Sequence, residues 1–166
     1  MTEKITVEEV KERARELMLK GYHCGPSVLQ VIWESFDLGD RDILWTCTSF
    51  VGGIGGQQDT PCGAVSAAAV CLGLIHRESS MEKEATKRAR QRARQNAAEF
   101  VYLFREKFGG IACSSLLGID FSKPGEYKKF LESKVWKDKC MKYVEFTIEK
   151  LLEFEERKRR VNADGS

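Results

Sequence analysis

Glycines and helix caps cut this chain into segments of helical period, and nothing between them alternates as a strand would. Thr6-Val7-Glu8-Glu9 is a capping box that predicts a helix to about Lys20, stopped by Gly21. Pro26 suits the first turn of a second helix carrying Val28, Leu29, Ile32, Trp33 and Phe36. Asp40 predicts a cap for a third, with Ile43, Leu44, Cys47 and Val51 on one stripe. Thr60-Pro61 reads as a cap followed by proline at the first helical position, opening an alanine-rich apolar helix from Cys62 to about His76. Ser79 to Glu82 is a second capping-box sequence, opening a long helix that ends near Phe108 before Gly109-Gly110. Pro124 starts a small helix with Tyr127, Phe130 and Leu131, and a last helix is expected from about Trp136 into Arg160. The expectation is an all-α, single-domain bundle of about five main helices over residues 1–161, with a frayed tail at 162–166.

At 166 residues the chain can bury a core without help. A net charge of +2 gives no reason to expect nucleic acid or acidic lipid as a partner. The basic run Lys83, Lys87, Arg88, Arg90, Arg92, Arg94 wraps most of a helix and reads as a solvated face. The first residues contain no apolar stretch of the signal-peptide kind, and the longest mostly apolar run, Ala64 to Ile75, is short of the roughly 20 residues of a membrane span. Cytoplasmic location is therefore expected, and there six cysteines are free thiols, metal ligands or redox groups rather than a disulfide framework.

Four of those cysteines carry the functional signal. Cys24, Cys62, Cys113 and Cys140 come from distant segments, each where the chain turns or where a helix begins or runs inward. Cys24 and Cys62 both fall at expected helix N-termini, where unpaired N–H groups and the dipole favour a thiolate. They are the candidate redox thiols. Cys71 lies nine residues after Cys62, half a turn out of phase, and Cys47 lies on an apolar stripe; both read as core. No Cys-x-x-Cys pair is present, yet four thiolates that converge in the fold suit an iron–sulfur cluster or zinc. Gly52-Gly53-Ile54-Gly55-Gly56 fails as a phosphate loop, because Gln58 stands at the third glycine position and no Gly-Lys-Ser/Thr follows. Gly53, Gly55, Gly56 and Gly63 read instead as close backbone whose N–H groups can bond sulfur. His23 and His76 read as surface histidines.

The pattern Cys24-Gly25-Pro26-Ser27, Phe50 to Gly56, Cys62-Gly63-Ala64-Val65-Ser66-Ala67, Cys113 with Leu116-Leu117-Gly118, and Cys140 resembles a bacterial and archaeal family. That family is named for its Cys…Gly-Cys-Ala-x-x-Gly…Cys…Cys signature, and the resemblance runs from about Gly21 to Val144. Two positions depart from it: Ala67 replaces the closing glycine of the central motif, and Pro61 precedes Cys62. The resemblance implies a helical fold and a redox or iron–sulfur role, with no substrate attached. Three functions are compatible with these residues. The first is an iron–sulfur electron carrier or redox sensor with an unknown electron-transfer partner. The second is a metal-free thiol–disulfide protein, with Cys62 attacking and another signature cysteine resolving. The third is a helical interaction module whose cysteines only pack. The long alanine-lined helices also make a homodimer conceivable.

Overall fold

A computed structural model describes residues 5–164, and it is all-α as expected. The longer helices are α1 (Val7–Leu19), α2 (Cys24–Ser35), α3 (Gly63–Ile75), α4 (Lys83–Phe108) and α7 (Met141–Asp164). Two short ones, α5 (Cys113–Leu117) and α6 (Glu126–Glu132), lie between α4 and α7. Among the described residues no strand forms, and only isolated bridges pair Ile54 with Gln57 and Pro61 with Ala112. No helix among them is long and apolar enough to cross a membrane. Of the tail expected at 162–166, Asn162 to Asp164 continue α7, and the last two positions lie outside the described residues.

Local chemistry explains where most elements start. In α1 the Thr6 hydroxyl accepts from Glu9 N–H at 3.2 Å and the Glu9 carboxylate accepts from Thr6 N–H at 2.7 Å, so the capping box forms. Asp40 caps as expected, accepting from Asp42 N–H at 2.9 Å, but Arg41–Cys47 winds as a tighter 3₁₀ segment. Its Trp45 is exposed and only Cys47 is buried, so little packing supports a full α-turn. The capping box at Ser79–Glu82 does not form. The Ser80 hydroxyl accepts from Glu82 N–H at 3.1 Å in a local turn, and α4 begins one residue later. Thr60 is not the cap of α3 either. Its hydroxyl accepts from Ile54 N–H at 2.7 Å inside the glycine loop, which leaves Cys62 as the N-cap.

The central layer is α2, α3 and α7. α1 packs on α2 and α7, and α4 on α3 and α7. Val28, Leu29 and Ile32 of α2 meet Ala64, Ala68 and Leu72 of α3 and Val144, Ile148 and Leu151 of α7, all fully buried. Ala67 is also fully buried, so the methyl group that departs from the family signature is packed into the core. Beside this layer, the Phe104 ring stands 4.8 Å from Phe108, 5.8 Å from Phe100 and Tyr143, and 5.9 Å from Phe146. Phe104→Ala is expected to cost about 3–5 kcal/mol by leaving a cavity in this cluster. Urea denaturation checks it, and a loss under about 1 kcal/mol would mean the cluster collapses to fill the gap.

The cations at 83, 87, 88, 90, 92 and 94 are exposed along α4, as the solvated-face reading expects.

Candidate functional site: a thiol cavity at one end of the bundle

The beginnings of α2, α3, α5 and α7 and the end of α1 meet at one end of the bundle. Two local features bring them there. First, the bridge between Pro61 and Ala112 ties the start of α3 to the start of α5. Cys62 N–H donates to Ile111 O at 2.7 Å, Cys113 N–H to Thr60 O at 3.2 Å and Ser114 N–H to Gln58 O at 2.7 Å. Second, the Phe50 carbonyl fits between the starts of α2 and α3. A Cβ on Gly25 would lie 2.7 Å from Phe50 Cβ, and one on Gly63 would overlap Phe50 O and lie 2.7 Å from Cys24 Sγ. Cys24 and Cys62 are therefore each followed by glycine for lack of space, not for backbone freedom.

The result is a cavity of about 210 Å³ lined by Cys24, Cys62, Cys113 and Cys140. Cys47 and Cys71 do not line it; both are fully buried in the main core, as their helical phase predicts. Cys24 is the first residue of α2, Cys62 the N-cap of α3 and Cys113 the first residue of α5. From the sequence, Cys113 to Gly118 reads as a short loop or a turn of helix, and the structure forms the helical turn, ended by Gly118. Cys140 closes a π-helical turn, Trp136–Cys140, that the regular periodicity of the last helix does not reveal.

The thiols differ sharply in acidity. Cys24 is held below the ordinary thiol value, first by a hydrogen bond from the Cys62 thiol and then by the N–H groups of Gly25, Ala64 and Cys24 itself, while desolvation opposes this. Cys62 moves the other way: donating that bond holds its proton on, and burial adds to the effect. Burial pushes Cys113 up to about 11, and burial with the neighbouring Cys24 and Cys113 pushes Cys140 up. Cys47, at about 11, and Cys71 are also raised, mainly by burial. Cys24 alone among the six is poised to ionise early.

The glycines divide. Gly63 packs on the Cys24 sulfur, and the Gly53 N–H acts on the Cys113 thiol, lowering its pKa slightly against the larger rise from burial. Gly53 has φ +82°, and a Cβ there would strike Gln57 and Thr60, so only glycine fits. Gly55 and Gly56 do not reach sulfur, because their N–H groups donate to Ser49 O at 2.8 Å and Val51 O at 2.9 Å to close the loop. His23 is exposed at the cavity rim, its ring pushed down by partial desolvation. His76 is buried rather than on the surface, 2.7 Å from Asn96 and at the far end of α3 from Cys62.

Two supporting residues carry no sequence signal. Gln58 is buried, donates to Ile119 O at 2.9 Å and accepts from Phe121 N–H at 2.6 Å, which holds the 119–121 segment against the glycine loop. Tyr143 donates to Leu116 O at 3.0 Å and fixes α5 to α7.

The donor type, four thiols around one space, suits iron–sulfur or zinc chemistry. Their placement does not: among the described residues no three His, Cys, Asp or Glu side chains are grouped to hold a metal ion. What does stand close together is the starts of α2 and α3, with Cys24 Sγ packed against Gly63 and 4.0 Å from the Phe50 carbonyl oxygen.

The acidity difference predicts a pH profile. Because the Cys24 value is lowered, its thiolate appears at lower pH, so its alkylation rate levels off below pH 9.0, the ordinary thiol value. Cys113 does so only near pH 11. Cys62→Ala removes the donor and moves the Cys24 midpoint upward. Site-resolved mass spectrometry of iodoacetamide labelling reads both, and an unmoved midpoint in Cys62→Ala contradicts the hydrogen-bond account.

Fold and site together define an all-α protein with a thiol cluster at one end of its bundle. The chain belongs to the family described as "Putative redox-active protein (C_GCAxxG_C_C)", whose model matches residues 22–154. No curated protein and no solved structure matches the chain.

Proposed function

We propose that this protein is a thiol–disulfide redox protein in which Cys24 is the nucleophile and Cys62 its partner. The reading rests on geometry: Cys24 and Cys62 open adjacent helices into one cavity, with Cys24 Sγ packed against Gly63, the residue after Cys62. It exchanges the roles expected from the sequence, where Cys62 was the attacking group. Cys24 Sγ attacks one sulfur of a substrate disulfide, and the other substrate sulfur leaves as a thiolate. Cys62 Sγ then loses its proton and attacks Cys24 Sγ, expelling the bound substrate sulfur. The protein ends with a Cys24–Cys62 disulfide and the substrate as two thiols, two electrons having passed to it. A thiol count tests this. The reduced protein has six thiols. Mild oxidation is expected to remove two of the six, and dithiothreitol to restore them. An unchanged count contradicts the reading.

A second reading is favoured by Cys113 and Cys140, which line the same cavity but take no part in the two-thiol step. In it, the four cysteines, which are not grouped as ligands in this structure, would have to draw together around an iron–sulfur cluster or zinc, and a cluster would supply one-electron transfer. Purification without oxygen, followed by iron, sulfide and zinc analysis, tests it. Metal bound by the parent and lost from each of the four Cys→Ser variants supports it, and metal-free protein contradicts it.

A further inference from the structure

The cavity has a chemical character of its own. No Asp, Glu, Lys or Arg lines it, and its walls include Phe121, Phe130, Trp136 and Tyr143. The rim is apolar too: Leu19, Tyr22, Tyr127 and Leu131 are among the exposed large hydrophobic residues, and all four line this one cavity. Single exposed apolar residues are ordinary, but four around one opening mark a site. A charged disulfide such as oxidised glutathione would lose hydration on entry and find no ion-pair partner. Aromatic walls favour a flat ring, which they can meet face or edge on. Size agrees: an apolar cavity of roughly 150 Å³ takes up benzene, and this one, at about 210 Å³, admits something larger.

We propose that the cavity binds a neutral, planar aromatic electron acceptor of the quinone class, which oxidises the Cys24–Cys62 pair. This rests on the reading of that pair as a dithiol. Cys24 Sγ forms a bond to one carbonyl carbon of the quinone, and that carbonyl oxygen takes the proton Cys24 gave up. Cys62 Sγ then bonds to Cys24 Sγ. The carbon–sulfur bond breaks, and its electron pair passes through the ring to the second carbonyl oxygen, which takes the Cys62 proton. The products are a Cys24–Cys62 disulfide and a hydroquinone, two electrons and two protons having moved.

Stopped-flow oxidation of the reduced, full-length protein tests this with two acceptors of the same ring system, 2-methyl-1,4-naphthoquinone and 1,4-naphthoquinone-2-sulfonate. The sulfonate group makes the second ring the stronger oxidant, so chemistry without binding would favour it. The expected result is a rate that saturates with the neutral quinone, exceeds that of the sulfonate at least tenfold at equal concentration, and yields one hydroquinone per disulfide. A sulfonate as fast or faster, a strictly linear dependence on the neutral quinone, or a stable ring adduct in place of hydroquinone overturns the proposal. Diamide, a small uncharged thiol oxidant, separates the two levels. If it closes the Cys24–Cys62 disulfide while the quinone does not, the acceptor assignment alone fails; if neither closes it, the dithiol reading fails as well.

Discussion

Adding one methyl group at position 63 is expected to destabilise the fold by about 2–3 kcal/mol and to separate Cys24 from Cys62. In Gly63→Ala the new Cβ would overlap the Phe50 carbonyl and lie 2.7 Å from Cys24 Sγ. The Phe50 backbone cannot simply swing aside: its N–H donates to Cys47 O at 3.0 Å, and the loop that follows is closed by Gly55 and Gly56. Alanine's helical preference over glycine, at most about 1 kcal/mol, is too small to offset a clash with fixed backbone. Gly73→Ala is the matched control. It lies on the same helix, and its Cβ would meet nothing within 4 Å, so propensity acts alone and the variant gains about 0.5–1 kcal/mol. Urea midpoints compare the two. Opposite signs are expected, and a Gly63→Ala variant as stable as its parent would mean the Phe50 loop yields freely.

Cys24→Ser is expected to abolish reversible two-thiol oxidation altogether. Five thiols remain of the six, and all five are expected to survive mild oxidation, because Cys62 has lost its partner and burial keeps Cys47, Cys71, Cys113 and Cys140 from ionising early. Cys71→Ser serves as the contrast. Its side chain is fully buried in the main core away from the cavity, so a hydroxyl there costs about 1–3 kcal/mol of stability while the loss of two thiols on oxidation persists. Thiol titration and thermal melts on both variants read the two effects. Oxidation of Cys24→Ser with loss of two thiols would move the redox pair elsewhere.

How much of this is legible in the sequence depends on the range of the interaction. The α1 cap needs only Thr6 and Glu9, three residues apart, and it forms as read. The opposite faces of Cys62 and Cys71 follow from helical phase alone, and they hold. The start of α3 is misjudged because Thr60 turns into the glycine loop, a choice settled by Ile54 N–H and not by its own neighbours. The Ser79–Glu82 cap is lost to a competing local turn at Ser80. The convergence of Cys62 and Cys113 rests on a bridge between segments 51 residues apart in sequence, Pro61 with Ala112, which no local pattern announces. The approach of Cys24 to the start of α3 is likewise a product of packing, since Phe50 fits against both Gly25 and Gly63. Cysteine positions in the sequence single out four candidates; the fold adds which of them open adjacent helices into one cavity.

Peptide mapping of the mildly oxidised protein by mass spectrometry, under acid quench to stop thiol exchange, tests the central claim most directly. A single reversible cross-link between the Cys24 and Cys62 peptides is the expected result, with Cys47, Cys71, Cys113 and Cys140 recovered as free thiols. A cross-link that leaves out Cys24 or Cys62, or no cross-link at all, would contradict the account.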